Sequence, residues 1–323
     1  MKKMVILIVV LAVCCVVSNP VQAQTYPKKQ VSLVVPYPPG GNVDTGARII
    51  AEPLRKIFGK PFIIENKAGA GGMIAGEYVA KSEPDGHTLF VGANGPVLHS
   101  PLIYGRSPYE WSRDFAPITS FAFTPMALVA HPSVPVKTAK ELFDLVKSKP
   151  GQMKYATPGA GTTNDLLGAL LVMNTGAKWI TVHYKGNAPA LNDLLGGQVD
   201  FSFEQMTTGL SQIKAGKIRA LAVTSEKRAP WLPDVPTLLE EGFKDAVGVT
   251  FTGVFAPIKT PPEIIARLNE ALVKIVSDKE IIDKFFAVGA IARASSPEEF
   301  KKYLTAEYDR WSKVIKAANI KIQ

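Results

Sequence analysis

The sequence predicts an α/β fold of two domains, each with a mostly parallel β-sheet, and a cleft between them. Three observations lead to this prediction. Apolar, β-rich runs alternate with helical patterns along most of the chain, as in parallel sheets covered by helices on both faces. About 300 residues follow an apolar N-terminal segment, which is enough chain for two domains. Glycine-rich loops between strands and helices occur in both halves.

The runs with strand character are short, apolar and rich in β-branched or aromatic residues. In order, they are 31–35, 61–65, 87–93, 126–131, 153–157, 179–184, 199–203, 218–224 and 249–257. The segment ARIIAEPLRKIF, after the first run, has the apolar spacing of an amphipathic helix. The C-terminal segment is helix-rich, with Tyr303 and Trp311 on an amphipathic pattern, and we expect it to pack back onto one domain.

Three helix starts carry the capping-box pattern, in which Ser or Thr is followed three residues later by Glu. They are Thr138 with Glu141, Thr260 with Glu263, and Ser296 with Glu299. The last two also place proline at the first helical position, where it is well tolerated. We therefore predict helices that start at these three places.

Residues 1–23 have the pattern of a secretory signal peptide. Lys2 and Lys3 form a basic start, an apolar run follows, and Ala23 ends a small-residue cleavage site. We expect cleavage after Ala23. The apolar run is short for a membrane anchor, which remains a weaker alternative.

Cys14 and Cys15 lie inside this apolar run, which leaves lipoprotein processing as another alternative. Val13, before Cys14, is bulkier than such processing usually accepts. The rest of the chain has no cysteine, so an exported protein of this sequence has to be held together by its core alone.

The charge pattern argues against nucleic acid as a partner. The formal net charge of +9 falls to +7 without Lys2 and Lys3, and the basic residues are scattered. A mildly positive surface can still favour an anionic small ligand.

Catalytic and metal-binding patterns are missing from the sequence. It has no Gly-x-Ser-x-Gly elbow and no Walker-type Gly-Lys-Ser/Thr. A glycine-rich loop begins at Gly69, but Ile74 stands where a dinucleotide fingerprint requires its third glycine. The histidines lack metal-ligand spacing; they are His87, His99, His131 and His183. We therefore expect no catalytic residue, metal or cofactor.

Four loops rich in glycine each join a predicted strand to a predicted helix. They are PPGGNVD (38–44), NKAGAGG (66–72), TPGAGTT (157–163) and YKGNAP (184–189). Such loops expose backbone N–H groups at the positive end of a helix, where anions bind. Proline stiffens the first loop, and glycine lets a ligand approach its backbone. We interpret it as a cradle for a carboxylate, with Asn42 or Asp44 capping a helix that starts near Thr45.

Four longer runs together resemble a known family. They are VVPYPPGGNVDTGAR, ENKAGAGGMIAGEYVAKSEPDGHTLFVG, YKGNAPALNDLLGGQVDFSF and IKAGKIRALAVTSEKRAPWLPDVPTLLEEG. In order and spacing they resemble the substrate-binding proteins of tripartite tricarboxylate transporters, the Bug family. The resemblance covers nearly all of the chain after residue 23.

The resemblance implies a periplasmic, monomeric solute receptor of the type II, venus-flytrap class. Such a receptor has two Rossmann-like lobes around a hinge cleft. It would bind a small organic acid, a mono- or dicarboxylate, without chemistry and deliver it to the membrane subunits of a transporter. We expect lobe 1 to comprise 26–124 and 249–323, and lobe 2 to comprise 125–248, with crossovers near 120–128 and 247–255.

In that family the ligand carboxylate lies between one loop of the first lobe and two loops of the second, held largely by backbone N–H groups and water. Carried over to this chain, the resemblance points to Tyr37, Gly41, Asn42, Asp44, Thr162, Thr163, Tyr184, Lys185, Asn187 and Ala188. We expect the N–H of Gly41 to face the ligand, in a backbone conformation that suits only glycine.

The chain departs from the family pattern at several positions. Asn42 replaces a small residue, Asp165 stands where histidine is common, and Glu204 stands where aspartate is frequent. A carboxylate from Asp165 or Glu204 near the ligand would favour an acid that carries an amino or amide group. The expected class of ligands also includes aromatic acids. The alternative is that Asp165 supports the first turn of its own helix.

Two other functions stay open at this point. A periplasmic sensor partner that presents a ligand to a two-component receptor has the same sequence features. An exported hydrolase of carboxylated substrates is the rival from another class, and the missing nucleophile–base pair argues against it.

Overall fold

The computed structural model describes residues 26–105 and 107–320. The predicted signal peptide, with both cysteines, lies outside these residues. The strands are β1 (Val31–Val35), β2 (Phe62–Asn66), β3 (Thr88–Ala93), β4 (Phe115–Ala130), β5 (Lys154–Thr157), β6 (Ile180–His183), β7 (Phe201–Gln205), β8 (Arg219–Val223), β9 (Val249–Pro257) and β10 (Ile291–Ala292). Within the described ranges, no helix combines the length and apolarity needed to cross a bilayer.

The helices alternate with these strands. They are α1 (Asn42–Phe58), α2 (Met73–Ala80), α3 (Ser100–Ile103), α4 (Trp111–Asp114), α5 (Ala139–Ser148), α6 (Thr163–Thr175), α7 (Asn187–Leu195), α8 (Met206–Lys214), α9 (Pro262–Val276), α10 (Lys279–Ala287) and α11 (Pro297–Ala317). A 3-10 turn (Ala70–Gly72) and a π-helical turn (Gly95–His99) complete the set. The predicted strands are found, and 126–131 proves to be the end of the much longer β4.

The 16-residue strand β4 joins two sheets into one ladder of order β2-β1-β3-β9-β4-β7-β5-β6. From Phe115 to Pro125 it pairs with β9, and from Met126 to Ala130 it pairs with β7 and β8. The outer ladders β1–β2, β1–β3, β5–β6 and β5–β7 are parallel, as expected. The pairs at the junction are antiparallel, because the chain crosses on β4 and returns on β9.

The inner strands β3, β7 and β9 are buried almost throughout, because helices cover both faces of the sheet there, whereas the edge strand β6 is largely exposed. Along β4, Leu128 and Ala130 pack with α5 and α6, whereas Ala127 and Val129 pack with α7 and α8. This alternation is the two-residue period of a strand buried on both sides. In the other half, one cluster lies against α1, α9 and α10, and a second lies against α2 and α11. The lobe boundaries suggested by the sequence stay a prediction.

Helix α11 contacts both halves of the fold. Near its start, Phe300 and Leu304 pack against Phe251 and Phe255 of β9. Near its end, the buried Trp311 packs with Leu166 of α6. The C-terminal segment thus packs back onto the fold as expected, but it bridges the two halves instead of covering one.

The three predicted capping boxes have different outcomes. Ser296 forms the complete box with Glu299. Thr138 accepts from the Glu141 N–H, but the Glu141 carboxylate reaches Lys137 N–H instead. The prediction at Thr260 is wrong: α9 starts at Pro262, and the Thr260 hydroxyl is buried without a partner among the described residues.

This contrast gives a matched stability test. We expect Ser296→Ala to lower the free energy of unfolding by about 1 kcal/mol, because a formed cap is lost. Thr260→Val removes a buried, unpartnered hydroxyl at nearly constant shape, so it should be neutral or stabilising. Urea denaturation of both variants measures the difference, and equal losses would contradict the assignment of the caps.

Candidate functional site

The strand-to-helix loops singled out by the sequence meet in the folded chain. A Cβ built on Gly186 would lie 2.9 Å from Cδ of Pro38, so the loops after β1 and β6 touch. A Cβ on Gly71 would lie 3.0 Å from the carbonyl oxygen of Ala160, so the loops after β2 and β5 touch as well. Loops from the two halves of the fold therefore close on one another at the carboxyl ends of parallel strands, where ligands bind in such sheets.

In the loop after β1, the glycine with a positive φ angle is Gly40 and not Gly41 as was expected. Gly40 has φ +83°, a region that favours glycine, whereas Gly41 has φ −82°, which any residue adopts. The expectation that Gly41 needs a glycine conformation is therefore wrong. Gly41 is instead the N-cap of α1, and its carbonyl accepts from Thr45 N–H at 2.9 Å.

Helix α1 thus starts at Asn42, three residues before the predicted position, and no side chain caps it. The first N–H groups of a helix have no acceptor within that helix. In α1 these groups lie next to the glycine loop, so they are available to an anion.

Asp44 holds this loop in place. One carboxylate oxygen accepts from Gly40 N–H at 2.9 Å and from Arg48 at 2.8 Å; the other accepts from Arg48 and from Asn66 Nδ2, both at 3.0 Å. Burial alone would raise the pKa of Asp44, but these hydrogen bonds hold it below its usual range. With both oxygens engaged, Asp44 positions the loop.

Three helices that follow glycine loops begin with a buried polar side chain of which one polar atom lacks a hydrogen-bond partner in the described part of the chain. Asn42 starts α1, Thr163 starts α6 and Asn187 starts α7, and each side chain is at most 8% exposed. Asn42 Nδ2, Thr163 Oγ1 and Asn187 Nδ2 have no hydrogen-bond partner among residues 26–105 and 107–320. A buried donor left unpaired is costly, so such a set is typical of a ligand site.

The starts of α1 and α7 are neighbours, and the N-cap of α6 lies near Tyr37 of the first loop. A Cβ on Gly41, next to Asn42, would lie 4.0 Å from Oδ1 of Asn187. A Cβ on Gly95, in the π-helical turn, would lie 3.0 Å from the Tyr37 hydroxyl and 3.4 Å from Cα of Thr162. The start of α1 therefore lies beside that of α7, and Gly95 lies between Tyr37 and the N-cap of α6.

Thr162 and Asp165 serve the loop before α6. Thr162 is the N-cap: its hydroxyl accepts from Asp165 N–H and donates to the Gly159 carbonyl at 2.7 Å. The Asp165 carboxylate accepts from Gly161 N–H at 3.0 Å and pairs with His183 at 3.0 Å. The hydrogen bond that His183 makes to Asp165 raises the pKa of His183. The Asp165 carboxylate thus links the loop before α6 to His183, and whether it contacts a ligand stays a prediction.

Four other residues predicted to bind the ligand differ in exposure and in contacts: Tyr37, Tyr184, Lys185 and Ala188. Tyr37 is half-buried, and burial raises the pKa of its phenol. The Tyr184 hydroxyl donates to Asp193 at 2.6 Å; burial and this bond raise its pKa to about 12. Lys185 is exposed, whereas Ala188 lies 4.0 Å from a Cβ built on Gly40. The structure brings Ala188 to the meeting point of the loops and leaves the Lys185 side chain in solvent.

Glu204 is almost fully buried at the end of β7, where it accepts from the Thr208 hydroxyl. Burial raises the pKa of Glu204 from 4.5 to about 8, so its side chain is largely a neutral acid at pH 7. It adds no full negative charge to this side of the sheet at neutral pH.

Sequence reasoning missed several residues of this region. Thr207, in the first turn of α8, donates to Asn42 Oδ1 at 2.8 Å, and nothing local to either residue signals it. Arg48 could have been found, because it follows Asp44 by four residues on one helix. His99 lies against Trp311 with Nδ1 3.2 Å from the Gly161 carbonyl, and burial lowers its pKa to about 3.

A second groove lies on another side of α1. It measures about 940 Å³ and runs between α1 and the helices α9 and α10. With the residues discussed above it shares Gly40, Asp44, Thr45 and Arg48. We assign the site to the loops and not to this groove, because the unpartnered donors and helix starts lie at the loops.

The chain is similar to a known family over most of its length. The model of the TctC family, the tripartite tricarboxylate transporter family receptor, matches residues 46–320. Protein BugT of Bordetella pertussis is 34% identical over 312 residues, which cover 95% of this chain and 94% of BugT.

Two solved structures of similar proteins contain carboxylates. R. palustris Rpa4515 with adipate is 35% identical with a TM-score of 0.89, over 92% of this chain and 99% of that one. MatC (Rpa3494) from Rhodopseudomonas palustris with bound malate is 32% identical with a TM-score of 0.86, over 90% of this chain and all of that one (100%). The two-lobed type II α/β fold is thereby confirmed.

The buried acid Glu204 predicts a specific pH dependence. Between about pH 4.5 and 8 the folded protein retains a proton on Glu204 that the unfolded chain has lost, so stability falls as pH rises. Glu204→Gln, a neutral isostere, should lose less stability over this window, by up to roughly 1 kcal/mol per pH unit. Urea denaturation at several pH values measures both curves, and parallel curves would contradict the buried neutral acid.

Proposed function

Because the chain belongs to the tripartite tricarboxylate transporter family of receptors, we propose that it captures a small organic acid between its two sets of loops and delivers it to the membrane subunits of a transporter. The observation that carries this proposal is a group of three helix starts, each with a buried side-chain donor that is unpaired among the described residues: Nδ2 of Asn42, Oγ1 of Thr163 and Nδ2 of Asn187. Similar proteins hold adipate and malate, which are dicarboxylates.

The donors suit a carboxylate. Amide N–H groups and the first N–H groups of α1, α6 and α7 are directional donors, and the helix dipoles add partial positive charge. Nearby charges are already compensated: Arg48 pairs with Asp44, and His183 pairs with Asp165. A carboxylate bound here is therefore recognised by dipoles and hydrogen bonds, as when a helix N-terminus binds an anion.

The acidic side chains do not call for an amino group on the ligand. Asp165 already accepts from His183 and Gly161, and Glu204 is largely neutral at pH 7. We therefore propose that the ligand is a mono- or dicarboxylate. We do not expect acids that carry an amino or amide group, or aromatic acids, to bind more tightly than other carboxylates. We further propose that binding occurs without turnover.

The proposal includes movement of two lobes. We take 26–124 with 249–323 as one lobe and 125–248 as the other, hinged where β4 changes partners and where the chain returns at 247–255. Separation of the lobes would open the loops to solvent, and closure would bury the ligand between the helix starts.

Binding is tested by calorimetry with a panel of acids, including adipate, malate, succinate and benzoate, against the corresponding neutral amides. We expect at least one acid to bind and its amide to bind far more weakly, because the helix dipoles favour the anion. At about 100 times its dissociation constant, that acid should stabilise the protein by roughly 2.7 kcal/mol in thermal unfolding. Failure of every carboxylate to bind would refute the function, and release of a product would favour the hydrolase.

Asn187→Asp tests the donor directly. The change keeps the shape and adds an acidic residue at a helix start, which is favourable for the fold, but it replaces an N–H donor by a carboxylate oxygen. We expect about tenfold to hundredfold weaker binding of the acid, the value of a hydrogen bond to a charged group. Asn192→Asp, on the exposed face of the same helix, is the matched control and should bind normally. Unchanged binding by Asn187→Asp would remove Asn187 from the site.

We also propose export to the periplasm through the N-terminal segment. The pattern at residues 1–23 and the family of receptors both support this location. Protein recovered from the periplasm should begin at Gln24 when its N-terminus is sequenced, and retention of residues 1–23 would contradict the cleavage.

A further inference from the structure

Asn42 connects the two halves of the fold through its side-chain oxygen. Its Oδ1 accepts from the Thr207 hydroxyl at 2.8 Å, a hydrogen bond between residues 165 positions apart in sequence. Asn42 starts α1, which packs on the β1–β2–β3 sheet, whereas Thr207 lies in α8, which follows β7. This bond therefore spans the gap between the two sets of loops.

The other end of the same amide is unsatisfied. Nδ2 of Asn42 is buried, with the residue only 3% exposed, and finds no acceptor in the part of the chain that the structure describes. Burying an unpaired amide donor is unfavourable. In this arrangement the Nδ2 donor is less stable than it would be in water, unless a ligand supplies an oxygen atom as its acceptor.

We propose that Asn42 is the residue by which this receptor reads its ligand as it closes: Oδ1 holds Thr207 of the opposite half, while Nδ2 donates to a carboxylate oxygen of the bound acid. This inference rests on the proposed function. Closure without ligand removes Nδ2 of Asn42 from water and supplies no other hydrogen-bond acceptor. Closure around a carboxylate satisfies both ends of the amide, so the closed form is favoured when the site is occupied.

The direction of the amide follows from the chemistry of its partners. A threonine hydroxyl can donate or accept, so Thr207 fits either orientation of the Asn42 amide. A carboxylate only accepts, and it selects the orientation that turns Nδ2 toward it. The adjacent start of α7, with the Nδ2 of Asn187 also unpartnered among the described residues, supplies a second amide donor to the same region.

Two variants separate the two ends of Asn42. Thr207→Val keeps the shape of residue 207 and removes only the hydroxyl, so the ligand donor survives and the inter-half bond is lost. Asn42→Asp keeps an oxygen for Thr207 and replaces the ligand donor by a second acceptor. Ser211→Ala, on the exposed side of α8, is the control for a hydroxyl lost elsewhere on that helix.

The measurements are calorimetry and stopped-flow kinetics with adipate, or with whichever acid of the panel binds the wild-type protein most tightly. We expect Thr207→Val to weaken binding about fivefold to tenfold through faster dissociation, with the association rate little changed. Asn42→Asp should weaken binding about a hundredfold or more, and Ser211→Ala should match wild type. Circular dichroism and the melting temperature verify that each variant is folded.

A double-mutant cycle decides whether the two residues act through one bond. If they do, Thr207→Val has no further effect on binding in an Asn42→Ala background. Additive losses in the cycle, or wild-type affinity and dissociation rate in Thr207→Val, would overturn the inference. Wild-type protein that binds no carboxylate would instead refute the proposed function, so the two failures are distinguishable.

Discussion

The antiparallel pair of β4 and β9 is the interaction on which the rest of the structure depends. The chain crosses from one sheet to the other along β4 and returns along β9, with register pairs running from Phe115–Pro257 to Pro125–Val249. The partner of β4 changes directly after Pro125, which lacks a backbone N–H for the ladder. This pair connects the two sheets and fixes their relative position. The carboxyl ends of β1 and β2 therefore face those of β5 and β6, and the loops that follow these strands touch.

In the region where these helices begin, the acidic side chains are paired or neutral. An unpaired buried ion is very unfavourable, and the ionisable groups here are correspondingly compensated. Asp44 is fixed by Arg48, Asp165 by His183, and Glu204 avoids ionisation because it is buried. What remains are dipoles: amide and hydroxyl groups and helix N-termini. Groups of this kind interact favourably with a carboxylate.

The two halves of the fold also touch at places remote from the four glycine-rich loops. Trp231 Nε1 donates to the Phe286 carbonyl at 2.6 Å, with the two rings 5.0 Å apart, and a Cβ on Gly289 would lie 2.6 Å from Cβ of Met206. These contacts lie outside the four glycine-rich loops. The hydrogen bond between Asn42 and Thr207 differs from them, because the Nδ2 atom of the same amide has no partner among the described residues. The proposed role of Asn42 depends on this difference.

The sequence by itself determined the strands, the glycine loops and the helices after them, because apolar periodicity and turn chemistry are properties of near neighbours in the chain. The family resemblance also pointed to Asn42 and Asn187 as ligand-binding residues, which stays a prediction. Only the tertiary structure decided which glycine is strained, that Thr260 forms no cap, and that Asp165 is taken by His183. It alone decided that Asn42 meets Thr207, since a bond between residues 165 positions apart depends on how two sheets joined by β4 close on each other. Local sequence patterns determine where each strand, helix and loop forms. The hydrogen-bond partners of a buried polar group depend on which residues the tertiary fold places next to it.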